Sequence, residues 1–328
     1  TVKSAQQWQA GSGCLSPLLS RPLFAAPRCN ASEERRSGWQ SEHRGQSSLP
    51  SGNACICKCS PEDTIHCNKA GLRTLPAELA ASAVSLNLSN NLLRVLTANT
   101  FQNLTFLRSL WLDRNNLTFL YPGTFSALSN LRELDLGWNS RLTHLHDLKA
   151  LSELNLRKNR IWTIQNDAFA MLNRLGVLDL GHNRISDLPN QLFSGLIQLK
   201  TMHLEANRIS RIDCSFNSLL NLRKLYLNNN HISSISHTAF SGLEKLQFLH
   251  LNKNRLSSLP KHLFAELPKL KYVFLSHNPW SCDCKMLWFP TWMATYKGAV
   301  EGMQCAFTGL HNQTLLDFSA RAQAGNLY

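Results

Sequence analysis

The sequence predicts a repeat protein, a stack of short-strand units sharing one elongated core rather than two ordinary globular domains. Three observations carry that reading. The pattern L-x-x-L-x-L-x-x-N-x-L-x-x-L recurs, for example as Leu107, Leu110, Leu112, Asn115, Leu117, Leu120 and again as Leu175, Leu178, Leu180, Asn183, Ile185, Leu188. Its units start at Ala83, Leu107, Leu131, Leu151, Leu175, Leu199, Leu222, Leu246 and Leu270, in steps of 24, 24, 20, 24, 24, 23, 24 and 24 residues. The cysteines, ten in all, crowd toward the two ends of this array. A fixed period of this size marks units that bury their apolar faces against one another.

Each position in the unit has a physical task. The L-x-L core alternates with period two, so it forms a short strand with its leucines inward. An asparagine follows in every unit: Asn91, Asn115, Asn139, Asn159, Asn183, Asn207, Asn230, Asn254 and Asn278. Its amide offers donors and an acceptor together, which suits it to pairing backbone groups of turns that would otherwise be buried without partners. On the returning half, Phe101, Phe125, Phe169, Phe193, Phe216, Phe240 and Phe264 are each followed three residues later by leucine, and stacked units would line these rings into a spine beneath the convex side. The unit from Leu131 departs from the pattern: it has an extra residue within 139–142 and then lacks the phenylalanine. This is either a local pinch of the convex side or a missing piece, and a local irregularity is the favoured expectation.

At the two ends, Cys55, Cys57, Cys59 and Cys67 precede the repeats and Cys282, Cys284 and Cys305 follow them. Such clusters are either disulfide staples or zinc knuckles, and the single-residue gaps favour disulfides and an oxidising compartment. The glycosylation triplets at Asn30, Asn87, Asn103, Asn116 and Asn312 agree with that setting. No run of 18 apolar residues is present to span a bilayer as a helix.

With these repeats and end motifs the sequence resembles the extracellular leucine-rich repeat family, in its form with typical 24-residue units and cysteine-rich caps, as in Nogo-receptor-like, Slit-like and small matrix leucine-rich proteins. The resemblance covers Cys55 to Phe318. It implies the α/β class: a curved horseshoe solenoid with a parallel β-sheet on the concave face and loops or short helical turns on the convex face. It also implies a cysteine-rich N-terminal cap over 55–82, nine repeats over 83–278 and a C-terminal cap over 279–318. Cys55 would pair with Cys59, Cys57 with Cys67, and Cys282 with Cys305. The C-terminal cap is expected to be incomplete, since the fourth cysteine of the family's cap is absent and Cys284 is left without a partner. Residues 1–54, rich in Ser, Gln, Arg, Gly and Pro, match no pattern and are expected to be disordered, with Cys14 and Cys29 either bridged or free. The stretch 319–328 reads as a tail. Cys214 reads as a small buried hydrophobe within a turn.

Residues flanking the inward leucines project from the concave sheet. The middle column reads Asn87, Trp111, Asp135, Asn155, Asp179, His203, Tyr226, His250 and Phe274, with Phe248 and Tyr272 beside its C-terminal end. Asp113, Glu133, Asp135, Glu153, Asp179 and Glu205 supply six acids against Arg157 and Lys224. An acidic zone followed by an aromatic one is the composition of a protein interface, with aromatic anchors beside a charged rim. The ligand-binding residues are therefore expected to be Trp111, Asp113, Glu133, Asp135, Glu153, Asp179, His203, Glu205, Tyr226, Phe248, His250, Tyr272 and Phe274. A glycan on Asn87 would direct partners toward the middle and C-terminal units.

The whole chain carries 34 Lys and Arg against 21 Asp and Glu, for a formal charge of +13. Charge of that sign suggests a polyanion partner, but the concave face is net negative, which argues against nucleic acid there. Basic groups such as Arg208, Arg211, Lys261, Lys269 and Lys271 fall in turns or flanks, where a heparin-like polysaccharide is the alternative partner. A catalytic reading would pair Asp179 with His203 in adjacent units, yet the middle column offers no Ser, Thr or Cys nucleophile beside them. The expectation is a protein that recognises a protein ligand or receptor outside the cell, secreted or at the cell surface, with collagen or glycosaminoglycan binding as the alternative, and with no enzymatic activity, cofactor or metal.

Overall fold

The computed structural model describes residues 57–60, 63–77, 79–139, 148–166, 168–281 and 283–304. Eleven parallel three-residue strands form one sheet: Thr64–His66, Ser85–Asn87, Ser109–Trp111, Glu133–Asp135, Glu153–Asn155, Val177–Asp179, Thr201–His203, Lys224–Tyr226, Phe248–His250, Tyr272–Phe274 and Ala299–Glu301. The strand Lys58–Ser60 adds to the first of them antiparallel. Ten of the eleven strands bury their central residue, among them Leu86, Leu110, Leu154, Met202 and Leu249, and turn the two flanking side chains to the other face, while Val300 of the last is half-buried. The alternation of the L-x-L core dictates this directly.

The asparagine column holds the turns together. In the unit of Asn183, the side-chain oxygen accepts from the amides of Asn159 (2.9 Å) and Ile161 (3.0 Å), while Nδ2 donates to the carbonyls of Leu156 (3.0 Å) and Leu180 (2.9 Å). The same reach across one turn recurs from Asn91 to Asn278. The residue before each asparagine adopts positive φ: Asn90, Arg114, Trp138, Lys158, His182, Ala206, Asn229, Lys253 and His277 lie between 52° and 60°. That left-handed step turns the chain out of the strand so that the asparagine side chain points back inside.

The convex side is built of isolated turns rather than regular helix. Leu104 bonds back to Phe101 and Leu107 to Leu104, and the same three-residue step recurs in later units. With about ten residues to cross from one side of a 24-residue unit to the other, the chain has room for single turns only. Two short parallel sheets, Val95–Leu96 with Phe119–Leu120 and Arg211–Ile212 with Ser234–Ile235, join neighbouring units there. The phenylalanines are buried beneath these turns. Phe101 stacks on Phe125 at 6.0 Å, and Phe169, Phe193 and Phe216 stack in sequence at 6.0 and 5.8 Å.

The short unit from Leu131 does not interrupt the stack. Glu133–Asp135 pairs in register with Glu153–Asn155, and Leu148 is buried where other units place the leucine that follows the phenylalanine. The missing residues are taken from the convex return, so the sheet keeps its spacing. The segment 140–147 lies outside the described residues.

At the N-terminal end Cys57 and Cys67 form a disulfide. At the C-terminal end the helix Trp288–Thr295 lies over the last unit, with Trp280, Met286 and Phe289 buried and Trp292 4.8 Å from Phe264. Trp280 and Trp288 donate their indole N–H groups to the carbonyls of Leu275 and Leu259. Residues 1–56, and with them Cys14, Cys29, Cys55 and Asn30, lie outside the described residues, as do Cys282, the side chain of Cys284 and everything from Cys305 on, including Asn312 and the tail 319–328. The expected pairings of Cys55 with Cys59 and of Cys282 with Cys305 therefore fall outside them too. Cys214 is half-buried rather than fully enclosed, 3.6 Å from the hydroxyl of Thr238, because its turn faces solvent on one side.

Candidate functional site

The parallel register sets the middle column as one line of neighbours. Asn87 pairs with Trp111, Trp111 with Asp135, Asp135 with Asn155, Asn155 with Asp179, Asp179 with His203, His203 with Tyr226, Tyr226 with His250, and His250 with Phe274. The line is longer than the repeats alone indicate: His66 precedes Asn87 and Glu301 follows Phe274. Both come from end segments whose sequences do not carry the repeat, so periodicity gives no signal for them.

Toward the C-terminal half the rings touch each other. His203 lies on Tyr226 at 4.3 Å and 5°, Tyr226 on His250 at 4.5 Å, and His250 on Phe274 at 4.0 Å and 9°. A second, shorter stack runs beside it, with Phe248 on Tyr272 at 4.9 Å and the ammonium of Lys224 5.4 Å from the Phe248 ring. Mutual stacking covers part of each ring, so most are half-buried, while Tyr272 remains 42% exposed. Histidines thus belong to the aromatic zone as flat rings. Burial pushes the His250 imidazole down to about 4, which leaves it neutral at physiological pH.

In the middle of the sheet a charged group spans three units. Arg157, Gly181 and Glu205 occupy the same column in successive units, and the Arg157 guanidinium passes over Gly181 to bond Glu205 while lying 3.3 Å from Asp179. A Cβ on Gly181 would stand 2.7 Å from both Arg157 Nη1 and Glu205 Oε1, so the missing side chain is what makes room for the bridge. Nδ1 of His203 is 3.3 Å from Glu205 Oε2, an ion-pair separation without the alignment of a hydrogen bond. Burial alone would raise the Glu205 carboxyl, but His203 and Arg157 outweigh it and bring it to about 2. For Asp135, burial wins: its carboxyl is raised, the Gly137 amide only partly offsetting the effect, and nearby Asp113 raises it further.

Several of the acids also serve the backbone. Asp135 accepts from the amide of Gly137 and Asp179 from that of Gly181, both at 2.8 Å, as Asn87 and Asn155 do for Ser89 and Arg157. This is the local turn chemistry of Asx residues. Ser89 donates to Asp113, and Ser109 donates to Glu133 at 3.1 Å. Glu133 and Glu153 are exposed neighbours in the first column, and Trp111 is half-buried between Asn87 and Asp135. The paired catalytic arrangement of Asp179 and His203 does not form: they are in register, but Asp179 faces Arg157 and His203 faces Glu205. Among the described residues no three His, Cys, Asp or Glu side chains converge as metal ligands. The acceptor asparagines Asn103 and Asn116 are exposed, whereas Asn87 is half-buried within the sheet.

A curved stack of asparagine-pinned units presenting one continuous parallel sheet defines the molecule as a solenoid repeat protein. The chain belongs to the leucine-rich repeat family: the family model "Leucine rich repeat" matches residues 82–140, 149–209 and 220–279, more than half of the chain. It is 44% identical to Reticulon-4 receptor-like 2 of Homo sapiens over 91 residues, 28% of this chain and 21% of that protein. It is 32% identical to lumican of Gallus gallus over 137 residues, 40% of this chain and 39% of that protein. These relatives fall in the Nogo-receptor-like and small matrix groups that the sequence resembles, and the chain spans a fifth to two fifths of their length. Among solved structures it is similar to a chain of the octameric complex of Latrophilin 3, Unc5D and FLRT2, with a TM-score of 0.66 and 23% identity over 79% of this chain and 96% of that one, a likeness of fold. Among the described residues no helix is long and apolar enough to cross a membrane.

Proposed function

We propose that this chain is an extracellular recognition module that binds a protein ligand through its concave face and has no enzymatic activity. The observation that carries the reading is the double ring stack, His203–Tyr226–His250–Phe274 beside Phe248–Tyr272, set on a rigid sheet next to the Arg157–Asp179–Glu205 group. Pre-stacked rings lose little conformational freedom on binding, and aromatic groups at the centre of a patch with charges at its margin form the usual hot-spot arrangement. The Cys57–Cys67 disulfide and the exposed acceptor triplets at Asn103 and Asn116 support an oxidising, extracellular setting. The named relatives, one of them receptor-like, support the same class of role. The zoned face directs the ligand to units from Trp111 to Phe274, with the acids meeting basic groups of the partner and the rings its apolar centre.

The test is a binding screen of the intact chain against purified secreted proteins and cell-surface ectodomains. Proteins bound by the wild type should lose affinity at least tenfold for Tyr226→Ala and Tyr272→Ala and keep it for Leu220→Ser, an exposed convex position. Equal loss for the convex variant, or none for the concave ones, refutes the assignment.

A further inference from the structure

The residue after each ladder asparagine forms a column of its own on the edge of the solenoid, and over five successive units it reads Arg160, Arg184, Arg208, His231 and Arg255. All five are exposed. Their backbone is tied unit to unit: Arg184 donates to Ile161 (2.7 Å), Arg208 to Ile185 (2.9 Å), His231 to Ile209 (3.0 Å) and Arg255 to Ile232 (2.8 Å). The positive-φ residue two positions earlier adds Lys158, His182, Lys253 and His277 along the same edge, and neither column holds an Asp or Glu from Lys158 to Pro279. Among the described residues none of these arginines is paired with a carboxylate, in contrast to Arg157, which turns onto the concave face. Neighbouring strands stand ~4.8 Å apart, so the column spans about 20 Å from Arg160 to Arg255.

A row of exposed arginines of that length, none of them ion-paired among the described residues, fits a linear polyanion. Guanidinium groups hold sulfate and carboxylate oxygens through paired N–H donors, and their weak hydration makes the exchange of water for anion inexpensive. Sites that track single-stranded nucleic acid set aromatic platforms among their cations so that bases can stack, whereas these two columns contain no Trp, Tyr or Phe from Lys158 to Pro279. We infer that the edge from Lys158 to Arg255 is a binding site for a linear sulfated polysaccharide, separate from the concave face and open while that face is occupied. It accounts for part of the basic surplus that the concave face does not carry, and it stands independently of the protein-ligand reading.

The experiment measures binding of size-fractionated heparin to the full chain across a salt series. The double variant Arg184→Ser with Arg208→Ser is compared with Arg132→Ser with Arg174→Ser, which removes equal charge from exposed positions off the strip. The strip variant should bind at least tenfold more weakly, with the slope of log affinity against log salt reduced by about two, roughly one for each anion-binding cation removed, and the control should change less than threefold. Thermal unfolding checks that both variants fold. If the strip variant does not, Arg184→Lys with Arg208→Lys keeps the charge and loses the forked donors, and should weaken binding by a smaller but measurable factor. Equal weakening in the control, undiminished binding of desulfated heparin, or stronger competition by polyuridylate than by heparin would overturn the assignment.

Discussion

Replacing Asn183 with alanine should remove about 4 kcal/mol of stability and open the fold locally rather than at its ends. Asn183 is 7% exposed and serves two amides and three carbonyls. The Leu180 carbonyl keeps a second donor in Asn207 and the Gly181 carbonyl one in the Lys158 amide, so three groups lose their partner: the amides of Asn159 and Ile161 and the carbonyl of Leu156. At about 1–3 kcal/mol for each buried group left unpaired, the loss is about 3–9 kcal/mol, and water entering the solvent-side turn brings it toward the lower end. Since folded proteins are stable by about 5–15 kcal/mol, the effect is large. Urea titration followed by circular dichroism gives the magnitude. Hydrogen exchange gives the place, with protection falling first at Asn159 and Ile161. The control is Asn252→Ala, a half-buried asparagine of the concave face whose side chain makes no such bonds, and it should cost less than about 1 kcal/mol. A loss below about 1 kcal/mol for Asn183→Ala, or exchange that rises evenly over the chain, would refute the claim that the asparagines bind one unit to the next.

The Glu205 carboxyl is depressed from 4.5 to about 2, so its contribution to stability is present above pH 4.5 and lost as the pH falls toward 2; thermal melts of Glu205→Gln against wild type should converge in that window and differ above it. Gly181→Ala should force Arg157 and Glu205 apart, moving the Glu205 pKa upward when followed by side-chain NMR titration. Tyr226→Ala removes two stacking contacts worth roughly 1–3 kcal/mol together and should lower the melting temperature in calorimetry while leaving the far-UV spectrum unchanged. Cys57→Ser with Cys67→Ser opens a loop of 10-residue separation and should cost about 2–3 kcal/mol on the chain-entropy model, detectable as faster proteolysis near the N-terminal strands.

The repeat was legible because every unit states it again: inward leucines, ladder asparagines and the phenylalanine column each follow from residue type and period, and the short unit from Leu131 changes the convex return without moving the strands. The two columns that matter most on the surface were legible to different degrees. Placing Tyr226, His250 and Phe274 in one line needs only the register, but that His203 and His250 would stack as rings depends on side-chain rotation, which a pattern does not encode. The bridge from Arg157 to Glu205 links residues 48 positions apart; its one trace in the sequence is a glycine, Gly181, in the unit between them. His66 and Glu301 extend the column from segments without the repeat. The edge arginines were visible as a period of their own, one residue past each asparagine, and attention to the concave columns alone passes over them.

The central claim, recognition through the concave sheet, is tested most directly by a glycan wedge in the chain expressed through a secretory pathway. Lys224→Asn with Tyr226→Thr places an acceptor triplet on the concave face, and Lys269→Asn with Lys271→Thr places one on an exposed flank away from it. With both glycans verified by mass, the concave wedge should abolish binding to the proteins the wild type recognises, and the flank wedge should leave it within threefold. Retained binding with the concave wedge in place would contradict the account.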